Sequence, residues 1–452
     1  MSQPPAGFKE LESRCTGNSI CMVEAFKHYV DQGVEFSGTD VKRVSSLLGE
    51  ATKKIEVFSD KYLHVFMKYV QRNCVEVGEG EICIYSWKPG TRVRYFPVSL
   101  DATGTILYFR GGNISVLAYP THRAYDISGH KVKVPDPSIA PVSEVTKRVD
   151  GYQITLYYNP ILKKWIPATR YVLHNMVYVR RRLEVHEFEE IVNPYVSIAH
   201  SIAEERGLYD KLKGYEGWTF TFILEAPEPA ITRPSMELFD PTSFKLYLLN
   251  ARKPNGELLT VGESSKLLDW PTVPVEEVHI SSRHDLDRLI DEWSVDLSTR
   301  SRFVRYAVDE AYRPYTLEVP SKLYSEAMSV KYMSNPKSIV ILASHGFGEE
   351  AVKLLTDFGD IKDVGKEIVE YYEKIQEMLP KAVDAEWFLS VLKEHGVDKP
   401  LRGELEKARR TGTTARLARK LASILAGDNL YEGRDRLRKF VESLDRLLRE
   451  KT

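Results

Sequence analysis

Apolar residues recur along this chain with two different periods, and the switches between them mark three zones. Up to about residue 75 the spacing is helical. Val41, Val44, Leu47 and Leu48 share one face, Tyr62, Val65, Phe66 and Tyr69 repeat the pattern, and Asp40 is placed to cap the first of these helices. From about 80 to 325 the period falls to two. Residues 82–85, 92–96, 105–109, 115–119, 152–158, 218–224 and 245–249 read as short strands separated by Gly, Pro and Asp, with helices inserted at 194–205 and 284–293. Beyond 345 the pattern is helical again. Ile368, Tyr371, Tyr372, Ile375 and Met378 form one apolar stripe, and Leu437, Phe440, Val441, Leu444 and Leu448 form another, as in the core of a helix bundle. An α+β fold is predicted: a helical N-terminal extension (1–78), an antiparallel-sheet core (79–330) and an all-α C-terminal domain (331–452).

The chain has 452 residues, 43% of them apolar and 11% aromatic, which is enough for more than one hydrophobic core and excludes a largely disordered chain. Its four cysteines (Cys15, Cys21, Cys74, Cys83) form no C-x-x-C pair and read as reduced, buried thiols. The longest apolar runs are as short as the strand-like Ser338–Ala343, so no membrane span is expected. The start, Met-Ser-Gln-Pro-Pro, lacks the basic patch and apolar stretch of a signal segment. A reducing cytoplasm is the expectation.

The sheet zone carries an ordered set of motifs. Tyr108-Phe-Arg-Gly-Gly112 is followed by a segment from Val116 to Asp126 that contains Pro120-Thr-His-Arg123. Then come Val145-Thr-Lys-Arg-Val-Asp-Gly151, Thr219-Phe-Thr-Phe-Ile-Leu-Glu-Ala-Pro227 and Lys245-Leu-Tyr-Leu-Leu-Asn-Ala-Arg252. In this order they resemble the ATP-dependent RNA ligases of the bacteriophage tRNA-repair type, within the covalent nucleotidyltransferase superfamily. The resemblance covers about residues 80–325 and implies an ATP-grasp-like RNA-ligase core. In that family a lysine attacks the α-phosphate of ATP to form lysyl-AMP, later strands supply carboxylates for ribose and metal, and two further lysines offset phosphate charge.

Several of those positions are substituted here. Counting back from Asp150-Gly151, the family's lysine falls on Arg148. A guanidinium holds a phosphate well, but it stays protonated and is no nucleophile. Lys147 lies one residue away, on the opposite face of an extended segment, and only a bulge would bring it back. Ile223 stands where the family has a glutamate, with Glu225 two residues on. Ser301 replaces the glutamate of a second motif, and Thr316 and Glu318 replace the terminal lysines. The resemblance therefore implies a catalytic set of Arg148, Asp150 and Gly151, joined by Lys147 only in an active enzyme. The nucleotide- and phosphate-binding set is Arg123, Arg170, Phe222, Glu225, Arg252 and Arg305.

Histidines form no metal-binding spacing, and no metal site is expected. His345-Gly-Phe-Gly348 lacks the Lys-Ser/Thr of a phosphate loop, and no nucleophile elbow is present. The net charge of −1 argues against bulk coating of nucleic acid, but it is unevenly spread. Residues 401–452 hold 14 Lys and Arg against 8 Asp and Glu, a surplus of six that leaves the rest at −7. Arg409, Arg410, Arg416, Arg419 and Lys420, with Arg180, Arg181 and Arg182 beside Tyr178, are the candidate RNA contacts.

The expected function is a degenerate RNA-ligase-like protein that binds nucleotide or RNA ends, tRNA being one candidate, as a binding or partner subunit. The alternatives are an active ligase using Lys147, with ATP and Mg²⁺ as cofactors, and a protein-docking scaffold without nucleotide affinity.

Overall fold

The computed structural model describes residues 7–59, 69–88, 95–129, 132–173, 193–225, 244–307 and 315–451. The predicted helical residues Tyr62, Val65 and Phe66, most of the 92–96 strand, and the Arg180–Arg182 run lie outside them. The chain divides into two compact units. The first takes the described residues up to 225 with those of 244–289 and 301–319; the second takes 290–300 and everything described from 320 onward.

The first unit begins with three helices, α1 (Phe8–Arg14), α2 (Ser19–Asp31) and α3 (Gly38–Leu47). Ser37, not Asp40, caps α3: its hydroxyl accepts the Asp40 N–H. These helices cover one face of an antiparallel sheet made of β1 (Val70–Val77), β2 (Gly80–Trp87), β3 (Thr103–Arg110) and β4 (Asn113–Ala118). Residues 70–75, expected to be helical, are thus strand, held by full pairing with β2. The alternation of β2 builds two cores at once. Cys83 and Tyr85 pack under the helices, while Ile82 and Ile84 face a second sheet. A short helix, α4 (Pro97–Asp101), joins β2 to β3. Gly111 and Gly112, both at positive φ, make the two-residue turn between β3 and β4.

After the two-residue β5 (Tyr125–Asp126) come β6 (Val142–Lys147), β7 (Gly151–Asn159), β8 (Lys164–Thr169), β9 (Thr219–Glu225) and β10 (Lys245–Arg252). The second sheet runs β10-β9-β7-β8, antiparallel throughout. Its outer face is covered by α5 (Pro194–Glu205) and α6 (Leu208–Lys211) through Ile154, Leu156, Phe220 and Phe222. The third sheet runs β5-β12-β11-β6, with β11 at Ser301–Tyr306 and β12 at Thr316–Pro320. Its β5–β12 pair is parallel, an exception to the antiparallel expectation. Helices α7 (Val261–Leu268) and α8 (Arg283–Ser294) complete the order before β11.

The second unit is helical: α9 (Lys322–Met333), α10 (Pro336–Ser344), α11 (Gly348–Leu354), α12 (Ile361–Ala382), α13 (Phe388–Glu394), α14 (Asp398–Thr411), α15 (Ala415–Ala426) and α16 (Leu430–Lys451). The apolar run 338–343 is helix, not strand. Asn335 caps its start, and Gly346 at positive φ ends it as Phe347 N–H reaches back to the Leu342 carbonyl. Both predicted stripes join one core, with Ile368, Tyr372, Ile375, Leu437, Phe440 and Leu444 buried. No helix among the described residues is long and apolar enough to cross a membrane.

The cysteines overturn their expectation, because Cys15–Cys21 and Cys74–Cys83 are disulfides. Cys15 ends α1 and Cys21 lies in the first turns of α2, so a tight turn closes the six-residue interval. Cys74 and Cys83 stand directly opposite each other in the β1–β2 pair. With both pairs bonded, thiol usage no longer argues for a reducing compartment.

Candidate anion-binding site

β6 delivers Lys147 and Arg148 to the edge of the third sheet, and the strand period sends them apart. Lys147 pairs in register with Arg302, and both reach Glu276: the Lys147 amine at 3.5 Å, and Arg302 Nε to both carboxylate oxygens at 2.8 Å. Arg148 turns to the other face. Its Nη1 donates to Glu318 Oε1 at 2.7 Å and its Nε lies 3.3 Å from Asp150 Oδ1, while the buried Ser301 hydroxyl donates to the same Glu318 oxygen at 2.7 Å. Glu318 sits between the buried Leu317 and Val319, so alternation along β12 aims it at this cluster. Arg148, Asp150, Ser301 and Glu318 form one connected network. Lys147 is outside it, and no bulge brings it back.

Gly151 follows Asp150 because nothing larger fits. A Cβ there would lie 2.0 Å from the Leu224 carbonyl oxygen, where β7 crosses β9 opposite Glu225. Glu225 therefore borders the Asp150 turn at the end of β9, two residues from Ile223 on the same face.

Beside this network stands an arginine pair. Arg123 leaves the loop after β4 and Arg170 follows the last residue of β8. Each guanidinium lies over an aromatic ring, Arg123 over Trp87 at 5.0 Å and Arg170 over Tyr171 at 5.3 Å. Arg123 Nη1 and Arg170 Nε are buried, and neither has a hydrogen-bond partner among the described residues. Burial lowers both guanidinium pKa values. The positive charge of Arg170 lowers that of Arg123 further, partly offset by Tyr95, Tyr171 and Glu318. Two half-buried cations that repel each other, each with an unmet buried N–H group, are costly, and an anion bound by both removes both penalties.

The other sequence-predicted residues fall elsewhere. Phe222 is fully buried in the core beneath α5 and α6, so its ring is not offered to a ligand. Arg252 is also buried, donating to the carbonyls of Tyr119 (2.8 Å), Gly256 (2.7 Å) and Pro120 (3.2 Å). Arg305 donates to Glu144 at 2.8 Å and to the Leu258 and Leu259 carbonyls at 2.9 Å. Arg252 and Arg305 thus serve the framework.

In the helical unit, Arg409 Nε donates to the Val383 carbonyl just beyond α12. Arg416 and Lys420 lie 3.0 and 4.0 Å from Glu404, and Arg419 Nη1 lies 3.2 Å from His345 Nε2. Arg410 is exposed on α14. The basic surplus is thus largely committed to carbonyls and acids of its own unit. Asp101, which no sequence motif marks, is buried on α4 and receives Ser19, Tyr119 and His122.

These donors suit an anion and not a divalent cation. Of the carboxylates here, Asp150 and Glu318 already face Arg148 and Ser301, and Glu225 lies at the end of β9 opposite Gly151. Among the described residues the one grouping with metal-ligand spacing is Cys74, Glu81 and Cys83, and both of its sulfurs are in a disulfide.

No family model matches the chain, and no curated protein matches it. Among solved structures it is similar to an archaeal ATP-dependent RNA ligase in two forms. Form 1 is 14% identical, covering 86% of this chain and 87% of that one, with a TM-score of 0.35. Form 2 is 15% identical, covering 86% of each chain, with a TM-score of 0.36.

Proposed function

We propose that this chain is an RNA-ligase-like protein that grips a phosphate of a nucleotide or RNA end between Arg123 and Arg170, as a binding subunit that forms no lysyl-AMP. The observation that carries this reading is the arginine pair itself, two half-buried guanidiniums that repel each other, each with a buried N–H group that has no hydrogen-bond partner among the described residues. A surface arginine without a ligand turns to water; these are held in place by burial and by the rings beneath them. The order of the ligase-like motifs around them supports RNA as the source of the phosphate. The absence of adenylyl transfer is supported by Arg148 at the nucleophile's position, neutralised by Glu318, and by Lys147 facing Glu276 on the opposite side of the sheet.

Thermal unfolding with AMP and with adenosine tests the phosphate requirement. A ligand that binds the native state at about one hundred times its Kd adds about 2.7 kcal/mol. AMP is expected to raise the melting temperature of the unit that holds the site, and adenosine to leave it unchanged. Equal effects from the two ligands would remove the phosphate from the reading.

A further inference from the structure

We infer that Ser19, Asp101 and His122 are positioning residues for Arg123, so that the N-terminal helical layer is a working part of the anion site. This rests on the proposed function above and extends it beyond the residues that meet the ligand.

The segment from Tyr119 to Arg123 has no regular secondary structure, yet it is pinned along its length. On one side, β9 and β10 hold it. Tyr119 N–H donates to Thr219 Oγ1 at 2.9 Å, Thr121 N–H to Thr221 Oγ1 at 3.3 Å, and Asn250 Nδ2 to Thr121 Oγ1 at 3.1 Å. On the other side the end of α4 holds it: Arg123 N–H donates to the Leu100 carbonyl at 2.9 Å, and His122 Nδ1 lies 2.8 Å from Asp101 Oδ1. The residue that carries the candidate ligand-binding guanidinium is therefore bracketed by the last two residues of α4.

Asp101 is itself fixed from the N-terminal layer. Its Oδ2 accepts the Ser19 backbone N–H at 2.8 Å and the Ser19 hydroxyl, and its Oδ1 accepts the Tyr119 hydroxyl at 3.1 Å. Ser19 opens α2, and its neighbour Asn18 caps that helix and reaches Thr105 Oγ1 at 3.2 Å. Both residues lie inside the turn closed by the Cys15–Cys21 disulfide. A buried carboxylate is costly unless fully hydrogen-bonded. This one is met by four donors spread over α2 and the Tyr119–Arg123 segment, and so ties the two together. The chain of contacts runs from α2 through Ser19 and Asp101 to His122, and one residue further is Arg123.

The test is a mutant cycle on AMP affinity, read by calorimetry on the full chain at a temperature where every variant is folded. Arg123→Met sets the reference by removing the guanidinium. Asp101→Asn and His122→Gln are each expected to weaken AMP binding at least fivefold in the wild-type background and to change it by less than twofold on top of Arg123→Met. A purely structural role lowers the melting temperature but leaves AMP affinity intact, and that result overturns the inference. Ser19→Ala, which keeps the Asp101 carboxylate, gives the same reading if Asp101→Asn does not fold. If Arg123→Met leaves AMP affinity unchanged, or AMP does not bind, the proposed function fails with it. If Arg123→Met weakens binding and the other variants do not, the positioning inference alone fails.

Discussion

Replacing Arg170 with methionine is expected to move stability and affinity in opposite directions. Methionine keeps an apolar stem over the neighbouring ring and deletes the charge. In the free protein the change removes a buried N–H without a partner, worth about 1–3 kcal/mol, and relieves the repulsion on Arg123. Against this stands the loss of the guanidinium–ring contact with Tyr171, about 0.5–1 kcal/mol. The balance favours the variant by about 0.5–2 kcal/mol. Phosphate binding loses its charge-assisted hydrogen bonds at this residue, about 1.5–3 kcal/mol, or roughly 10- to 150-fold in Kd. Urea unfolding, followed through the transition that AMP displaces, reads the first quantity, and calorimetric titration with AMP reads the second. A variant that is less stable by more than about 1 kcal/mol, yet binds AMP as the wild type does, would show that Arg170 serves packing and would refute the reasoning.

Other expectations follow from the same geometry. Incubation with labelled ATP and Mg²⁺ or Mn²⁺, followed by a denaturing gel, should leave no labelled band, and Lys147→Ala should change nothing; a covalent adduct lost in that variant would restore the active-ligase reading. Gly151→Ala should destabilise by about 3 kcal/mol, because its Cβ meets the Leu224 carbonyl, and urea denaturation checks this. Burial alone would raise the Asp101 carboxyl, but His122 and Ser19 outweigh it and hold it below its ordinary 3.8. Its contribution is thus present above about pH 4 and lost as pH falls through the lower folded value, so Asp101→Asn should flatten the acid limb of a stability–pH curve. Reducing both disulfides should cost about 2–3 kcal/mol each from the short loops they close, read as a lowered denaturation midpoint with a strong reductant.

What the sequence disclosed was whatever local period controls. Alternation around Asp150-Gly151 put Arg148 and Lys147 on opposite faces, and the structure keeps them there because β6 pairs with β11 in unbroken register from Glu144 to Lys147. The helical stripes of α12 and α16 were equally legible, since 3.6-residue spacing survives whatever packs on it. Features that depend on pairing between distant segments were not. The Cys74–Cys83 bond needs the β1–β2 register. Asp101 meets His122 only because β3 and β4 fold back on each other, and Arg170 joins Arg123 only because the ends of two different connections converge. The apolar run at 338–343 fitted strand or helix equally well until its caps decided it. For the basic C-terminal residues the sequence shows charge but not the partners that some of them reach, the Val383 carbonyl for Arg409 and Glu404 for Arg416 and Lys420.

A phosphate held by Arg123 and Arg170 is the feature this protein is proposed to recognise. Fluorescence anisotropy with one short RNA, carrying either a 5′-phosphate or a 5′-hydroxyl and titrated at fixed salt, tests it most directly. The phosphorylated RNA is expected to bind at least tenfold more tightly, with the difference abolished in Arg123→Met. Equal affinity for the two RNAs in the wild-type protein would contradict it.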